Sequence, residues 1–301
     1  MNQLFTNTEY KLRTFSFGER TVEAFVSEAA TTDFDLTGQV VWPGTTILGW
    51  FLTKKPELFA RKSCLELGSG TGIPGLLAAQ ICDSLVLTDH NDSVLDLLRK
   101  NVQHNADKFK HQKRPGTLVC DLNWGDTPPA EITSNFPSGF DCLIGADIVY
   151  SSAAAGALFR SVERLLSKSA DARFYLGYVR RWTEVDRAFL AEVKAANFEL
   201  EEVALSTFMP DADRPEHGAM FVLKRAAATA TTSETATATV TAAANGNARA
   251  VASVESAVSK AARTTASKTK PDLPKFDIVD SLTPAQVRQM QALYHQEWLA
   301  K

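Results

Sequence analysis

The 301-residue sequence has no excess of one charge: 32 lysines and arginines stand against 35 aspartates and glutamates, a net charge of −3. The basic residues are scattered and form no stripe, which argues against a nucleic-acid partner. The short run "KFKHQKRPG" reads as a solvated loop. No apolar run approaches the ~20 residues needed to span a bilayer. The opening "MNQLFTNTEYKL" lacks the basic-then-apolar order of an export signal, so no membrane partner is expected. Cysteine is also scarce. Cys64, Cys82, Cys120 and Cys142 each sit in or beside an apolar segment, with no C-x-x-C spacing. They read as buried thiols in a reducing compartment, the cytoplasm or both cytoplasm and nucleus, and no metal site is expected.

What is present suits a globular fold. Hydrophobic residues make up 45% of the chain and charged residues 22%, enough to bury a sizeable core. "YKLRTFSFGERTVEAFVSE" has two β-rich arms around Gly18 and predicts an N-terminal hairpin. After "TGQVVWPGTT" a helix is predicted over Thr45–Lys54, and then strands and helices alternate. Ser63–Leu67 reads as a strand, Gly72–Ile81 as a helix, Ser84–Thr88 as a strand, and Ser93–Asn105 as a helix capped by Asp92. The alternation continues with a strand at Thr117–Val119, the apolar strand "FDCLIGADIVY", a helix at about 155–166, the strand "RFYLGYV" and a helix at about 183–196. This punctuation implies a mostly parallel sheet with helices on both faces. Two successive strands, "FELEEVAL" and "AMFVLKR", then predict a closing antiparallel pair.

Beyond residue 225 the composition changes. "AAATATTSETATATVTAAANGNARA" holds almost no large apolar residues and reads as a flexible linker over 226–270. The segment 271–301 contains "SLTPAQVRQMQALYHQEWLAK", an amphipathic helix with Thr283 as cap, Pro284 at the first helical position and Gln286 completing a capping box. Such a tethered helix is expected to dock on a partner or to open a further domain. It weakly resembles the opening helix of a GCN5-related acetyltransferase. The chain then divides into a β extension (1–40), a main domain (41–225), the linker and the tail.

The chemistry centres on "LELGSGTGIPGLLAA". Its glycines Gly68, Gly70 and Gly72 follow a G-x-G-x-G spacing, and Ile73 stands where a dinucleotide fingerprint requires a third glycine. The loop contains no lysine, so it is not a P-loop. What remains is a tight turn whose bare backbone lets a ligand approach, with amides at the helix start suited to a carboxylate. Asp89, about twenty residues downstream at a strand end, is positioned to accept hydrogen bonds from both hydroxyls of a ribose.

Strand, "ELGSGTG", helix, strand and Asp89, together with "GQVVWPG", "LNW" and "GADIVY", resemble methyltransferase family 16 over roughly 38–225. These are seven-strand, S-adenosylmethionine-dependent protein-lysine methyltransferases. The resemblance implies an α/β, three-layer, Rossmann-like seven-stranded sheet with an antiparallel closing strand, added to the N-terminal hairpin. It implies S-adenosyl-L-methionine as cofactor and a protein substrate bearing a target lysine as partner. It would place Trp42 beside the methionine end of the cofactor, Gly68, Ser69 and Gly70 along its backbone, Trp124 against the adenine, and Ala146 in contact with it. Trp42 and Trp124 could instead be core residues, the commoner fate of tryptophan.

Asp147 and Tyr150 would form the family's D-x-x-Y signature and act at the reacting centre. A carboxylate stabilises a lysine ammonium and is a feeble base towards it, so Asp147 is assigned to aiming the lysine, and Tyr150 to a ring face for its cation. Tyr178 is expected either at the same mouth or in the core. Arg180 and Arg181 are expected to meet an acidic surface or to be solvated. The competing readings are a nicotinamide-dependent oxidoreductase, a small-molecule or nucleic-acid methyltransferase, and a non-catalytic cofactor-binding scaffold.

Overall fold

The computed structural model describes residues 10–27 and 34–227. The linker and the tail helix lie outside the described residues. A hairpin, β1 (Tyr10–Phe17) and β2 (Arg20–Ser27), precedes helix α1 (Pro43–Lys54). The alternation follows as β3 (Ser63–Glu66), α2 (Ile73–Ala79), β4 (Ser84–Asp89), α3 (Asp92–His104), β5 (Thr117–Asp121), α4 (Ala130–Asn135), β6 (Cys142–Ala146), α5 (Ser152–Leu165), β7 (Arg173–Val179), α6 (Thr183–Ala195), β8 (Phe198–Val203) and β9 (Gly218–Arg225).

The main sheet is seven-stranded in the order β5-β4-β3-β6-β7-β9-β8. Pairing from β5 through to β7 is parallel. Strand β9 is inserted between β7 and β8 and runs antiparallel to both, which is the expected closing pair. One face is covered by α1, α2 and part of α3, with Ile47, Phe51, Leu76 and Leu98 in the core. The other is covered by α4, α5 and α6 through Ile132, Phe159 and Phe189. The chain leaves β3 in one direction to reach β4 and returns to its other side as β6, so a crevice opens at the carboxyl ends of these strands.

The hairpin lies outside the main sheet but shares its core, with Val22, Ala24 and Val26 packed among α1 and α2. Helix α3 and its C-terminal cap hold it through asparagines one turn apart. Asn101 accepts from the Phe25 amide at 2.7 Å and donates to the Phe25 carbonyl at 3.0 Å. Asn105 donates to the Glu23 carbonyl at 2.7 Å. These amides substitute for a third strand along the edge of β2.

Two expectations are corrected, and one element is new. The cap of α3 is Asn91, whose side chain accepts from the Ser93 and Val94 amides; Asp92 is the first helical residue. The strand in "FDCLIGADIVY" ends at Ala146, because Asp147 turns into the left-handed region at φ 54°. Helix α4 was not anticipated, since its six residues are too few to show a period. All four cysteines are buried and unpaired. Among the described residues no helix is long and apolar enough to cross a membrane.

Candidate active site

A cavity of about 300 Å³ opens at the crevice. Trp42, Gly68, Ser69, Gly70, Asp89, Trp124, Ala146, Asp147 and Tyr150 all line it, so residues more than a hundred positions apart converge on one cavity.

The glycine turn joins β3 to α2. Gly68 and Gly70 both lie at positive φ, 58° and 53°. A Cβ on Gly70 would come within 2.8 Å of the Gly38 carbonyl, and one on Gly68 within 3.0 Å of the Trp124 ring. Backbone conformation and close approach therefore both demand glycine here. Ser69 ties the turn to β4: its amide donates to the Thr88 carbonyl at 2.8 Å and its hydroxyl accepts from the Thr88 amide at 3.0 Å.

Asp89 stands at the end of β4 and is buried. One carboxylate oxygen accepts from the Gly70 amide at 3.0 Å, the other from the His90 amide at 2.9 Å. The glycine turn and the turn after β4 are thus fixed to one carboxylate that still lines the cavity. On the opposite wall Trp124 packs against Tyr150, ring centroids 6.2 Å apart. Trp42 donates from its indole nitrogen to the Thr37 carbonyl at 3.0 Å.

Sequence reasoning missed Glu66, the last residue of β3. Its carboxyl is completely buried yet lines the cavity, and its Oε2 has no hydrogen-bond partner. Burial pushes its pKa up to about 8; hydrogen bonds from Ser69 and the Gly75 amide oppose the rise and Asp89 adds to it. A glutamate ending a buried strand directly before the glycines was the available signal. An unsatisfied buried acceptor beside a cavity is a place made for a donor.

Asp147 is not placed as expected. Its side chain is only 1% exposed, and both oxygens are engaged within the protein. One accepts from the Gly44 amide at 2.5 Å; the other accepts from the Val179 amide at 3.1 Å and from Arg181 at 3.0 Å. The "WPG" motif explains the first bond. Trp42 is the extended residue before α1, Pro43 opens the helix, and Gly44 presents its amide at the positive end of the helix dipole. A Cβ on Gly44 would lie 2.7 Å from the Asp147 carboxyl carbon. Asp147 thereby pins α1 to the ends of β6 and β7.

Arg181 neither meets a surface nor is solvated. Its side chain is 8% exposed, paired with Asp147, and its guanidinium lies 5.5 Å from the centroid of the Trp42 ring. Arg180 pairs with Glu202 at 2.8 Å. Tyr178 is in the core; its hydroxyl donates to Asp186 at 2.5 Å and its ring stacks on Phe189. Burial, then the Asp186 bond, pushes that phenol well above its ordinary range.

The chain is similar to several protein-lysine methyltransferases. It is 31% identical over 150 residues to the calmodulin-lysine N-methyltransferase of Arabidopsis thaliana, covering 48% of this chain and 46% of that one. It is 32% identical over 165 residues to the protein N-lysine methyltransferase METTL21A of Danio rerio, covering 54% and 70%. It is 27% identical over 213 residues to the protein-lysine N-methyltransferase EEF2KMT of Bos taurus, covering 62% and 60%. The chain thus spans less than two thirds of two of these three relatives. The family model described as lysine methyltransferase matches residues 28–196, more than half of the sequence and every residue that lines the cavity, and on that match the chain belongs to the lysine methyltransferase family.

Proposed function

We propose that this protein is a protein-lysine N-methyltransferase that uses S-adenosyl-L-methionine and acts on a lysine of a non-histone protein substrate. The observation that carries the reading is the chemistry of the cavity wall. Asp89 offers a carboxylate to ribose hydroxyls, the bare Gly68–Gly70 backbone leaves room for a ligand chain, and the orphaned Glu66 oxygen suits an amino acid's ammonium. Trp124 offers a ring face to adenine, a contact of roughly 1–3 kcal/mol by analogy with base stacking. These groups fit S-adenosylmethionine. When bound, it would supply a methyl group made electrophilic by the adjoining sulfonium.

The chain's residues would do the rest by orientation. An exposed lysine has a pKa of ~10.4, so near neutrality losing its proton costs ~4–5 kcal/mol before any bond forms. Burial between Trp42, Tyr150 and Ala146 would favour the neutral amine. Asp147 would act as a positioning residue, fixing α1 and the ends of β6 and β7 around the acceptor; its carboxylate is spent on that framework. Tyr150 would present a ring face and a hydroxyl to the incoming side chain. Alignment of the two reactants would contribute most of the rate.

The buried unpaired thiols support action in the cytoplasm or nucleus. Incubation with methyl-labelled cofactor and separate samples of calmodulin, elongation factor 2 and a lysine-containing cell extract tests the proposal. Label on a lysine, located by mass spectrometry, is the expected result. Label on an arginine, a nucleic acid or a small molecule would refute it, and cofactor binding without transfer to any of these would favour the scaffold reading.

A further inference from the structure

On the proposed reading the cavity has a cofactor end and an acceptor end, and the charges at the two ends are arranged differently. Glu66, Asp89 and His90 lie at the first. Asp147 and Arg181 lie at the second, and Asp186 nearby is taken up by the Tyr178 hydroxyl. A lone carboxylate at the acceptor end would trap lysine as the unreactive ammonium. Here the carboxylate is not alone. Arg181 is paired with it at 3.0 Å, both side chains are almost fully buried, and the Trp42 ring backs the guanidinium. The Gly44 amide holds its other oxygen, and the Val179 amide shares the oxygen that Arg181 binds.

We infer that Arg181 governs the protonation state of the acceptor lysine, cancelling the charge of Asp147 so that the side chain enters the reacting centre as a neutral amine. This rests on the proposed methyl transfer. Arginine suits the task because its guanidinium does not deprotonate in proteins and its planar group stacks on an indole. The lysine ammonium sheds its proton to solvent on entry. The amine lone pair then forms the nitrogen–carbon bond, the carbon–sulfur bond breaks with its electron pair staying on sulfur, and the product leaves as a methylated ammonium, so that one proton is released in all. Arg181 touches none of the reacting atoms. It is a positioning residue that acts through Asp147.

The test needs no protein substrate. Sinefungin is a cofactor analogue with a protonatable amine where the sulfur carries its methyl, so that amine samples the charge at the acceptor end. S-adenosylhomocysteine lacks it. Calorimetry at neutral pH on the full chain gives the ratio of the two affinities for the native protein and four variants, each checked for folding by thermal unfolding. A unit charge added or removed at contact range changes such a ratio by about a factor of ten. Arg181→Gln should raise the preference for sinefungin about tenfold and Asp147→Asn should lower it about tenfold. The variant carrying both changes should return to within about threefold of the native ratio, and Arg181→Lys, which keeps the charge, should leave it unchanged. If Arg181→Gln does not fold, the fall in Asp147→Asn against an unchanged Arg181→Lys still decides the sign. Equal ratios in all variants that bind S-adenosylhomocysteine would overturn this inference alone. A native chain that binds neither ligand would overturn the cofactor reading and the inference with it.

Discussion

Glu66→Gln offers a quantitative test of the site without any ligand. The carboxyl moves from an ordinary 4.5 in the unfolded chain to about 8 in the folded protein, mainly because burial disfavours its charge. Between those values the folded state keeps a proton that the unfolded state has lost, so this group's contribution to stability is fully present below about pH 4.5 and is lost as pH rises towards 8. At about 1.4 kcal/mol per pH unit, the loss amounts to about 3–4 kcal/mol between about pH 5 and pH 8. That is a large share of the ~5–15 kcal/mol of a typical domain. Glutamine has the same shape and never ionises. Urea unfolding across this pH range should therefore show the variant gaining stability over the native protein as pH rises, with the curves meeting near pH 5. Parallel curves would show that Glu66 is ionised or solvated in the folded protein and would remove the buried acceptor from the site.

Asp89→Asn keeps an acceptor for the Gly70 amide but loses the charge offered to the ribose, so affinity for S-adenosylhomocysteine should fall about tenfold or more in calorimetry; unchanged affinity would mean Asp89 serves only the loop. Trp124→Ala should weaken the same ligand by about 1–3 kcal/mol, and a loss in thermal stability with no loss of affinity would place the indole in the core instead. Asn101→Ala removes bonds to the Phe25 amide and carbonyl and to the Thr71 carbonyl. It should destabilise the fold by about 2–4 kcal/mol, and amide exchange should rise first in β2; uniform exchange would contradict the clamp.

Much of the site was legible because it depends on backbone geometry that only certain residues permit. The glycines of "ELGSGTG" mark positive φ, Asp89 marks a strand end, "WPG" marks a helix start, and the paired final strands mark the closing of the sheet. What escaped was set by partners distant in sequence. Arg181 reads as a surface cation until β7 brings it beside Asp147, and Glu66 reads as the unremarkable end of a strand until α2 covers it. Asn91 and Asp92 are equally good caps on paper, and the turn after β4, fixed by Asp89, decides between them. The hairpin was visible, but the asparagines that dock it lie at the end of α3 and on its cap some eighty residues away, with no local pattern to announce them.

A crystal structure of the chain grown with S-adenosylhomocysteine tests the central claim most directly. The account predicts adenine against Trp124, both ribose hydroxyls on Asp89, the amino group on Glu66 and the sulfur directed towards Trp42 and Tyr150. Density elsewhere, or an occupied cavity in which Asp89 and Glu66 touch no part of the ligand, would contradict it.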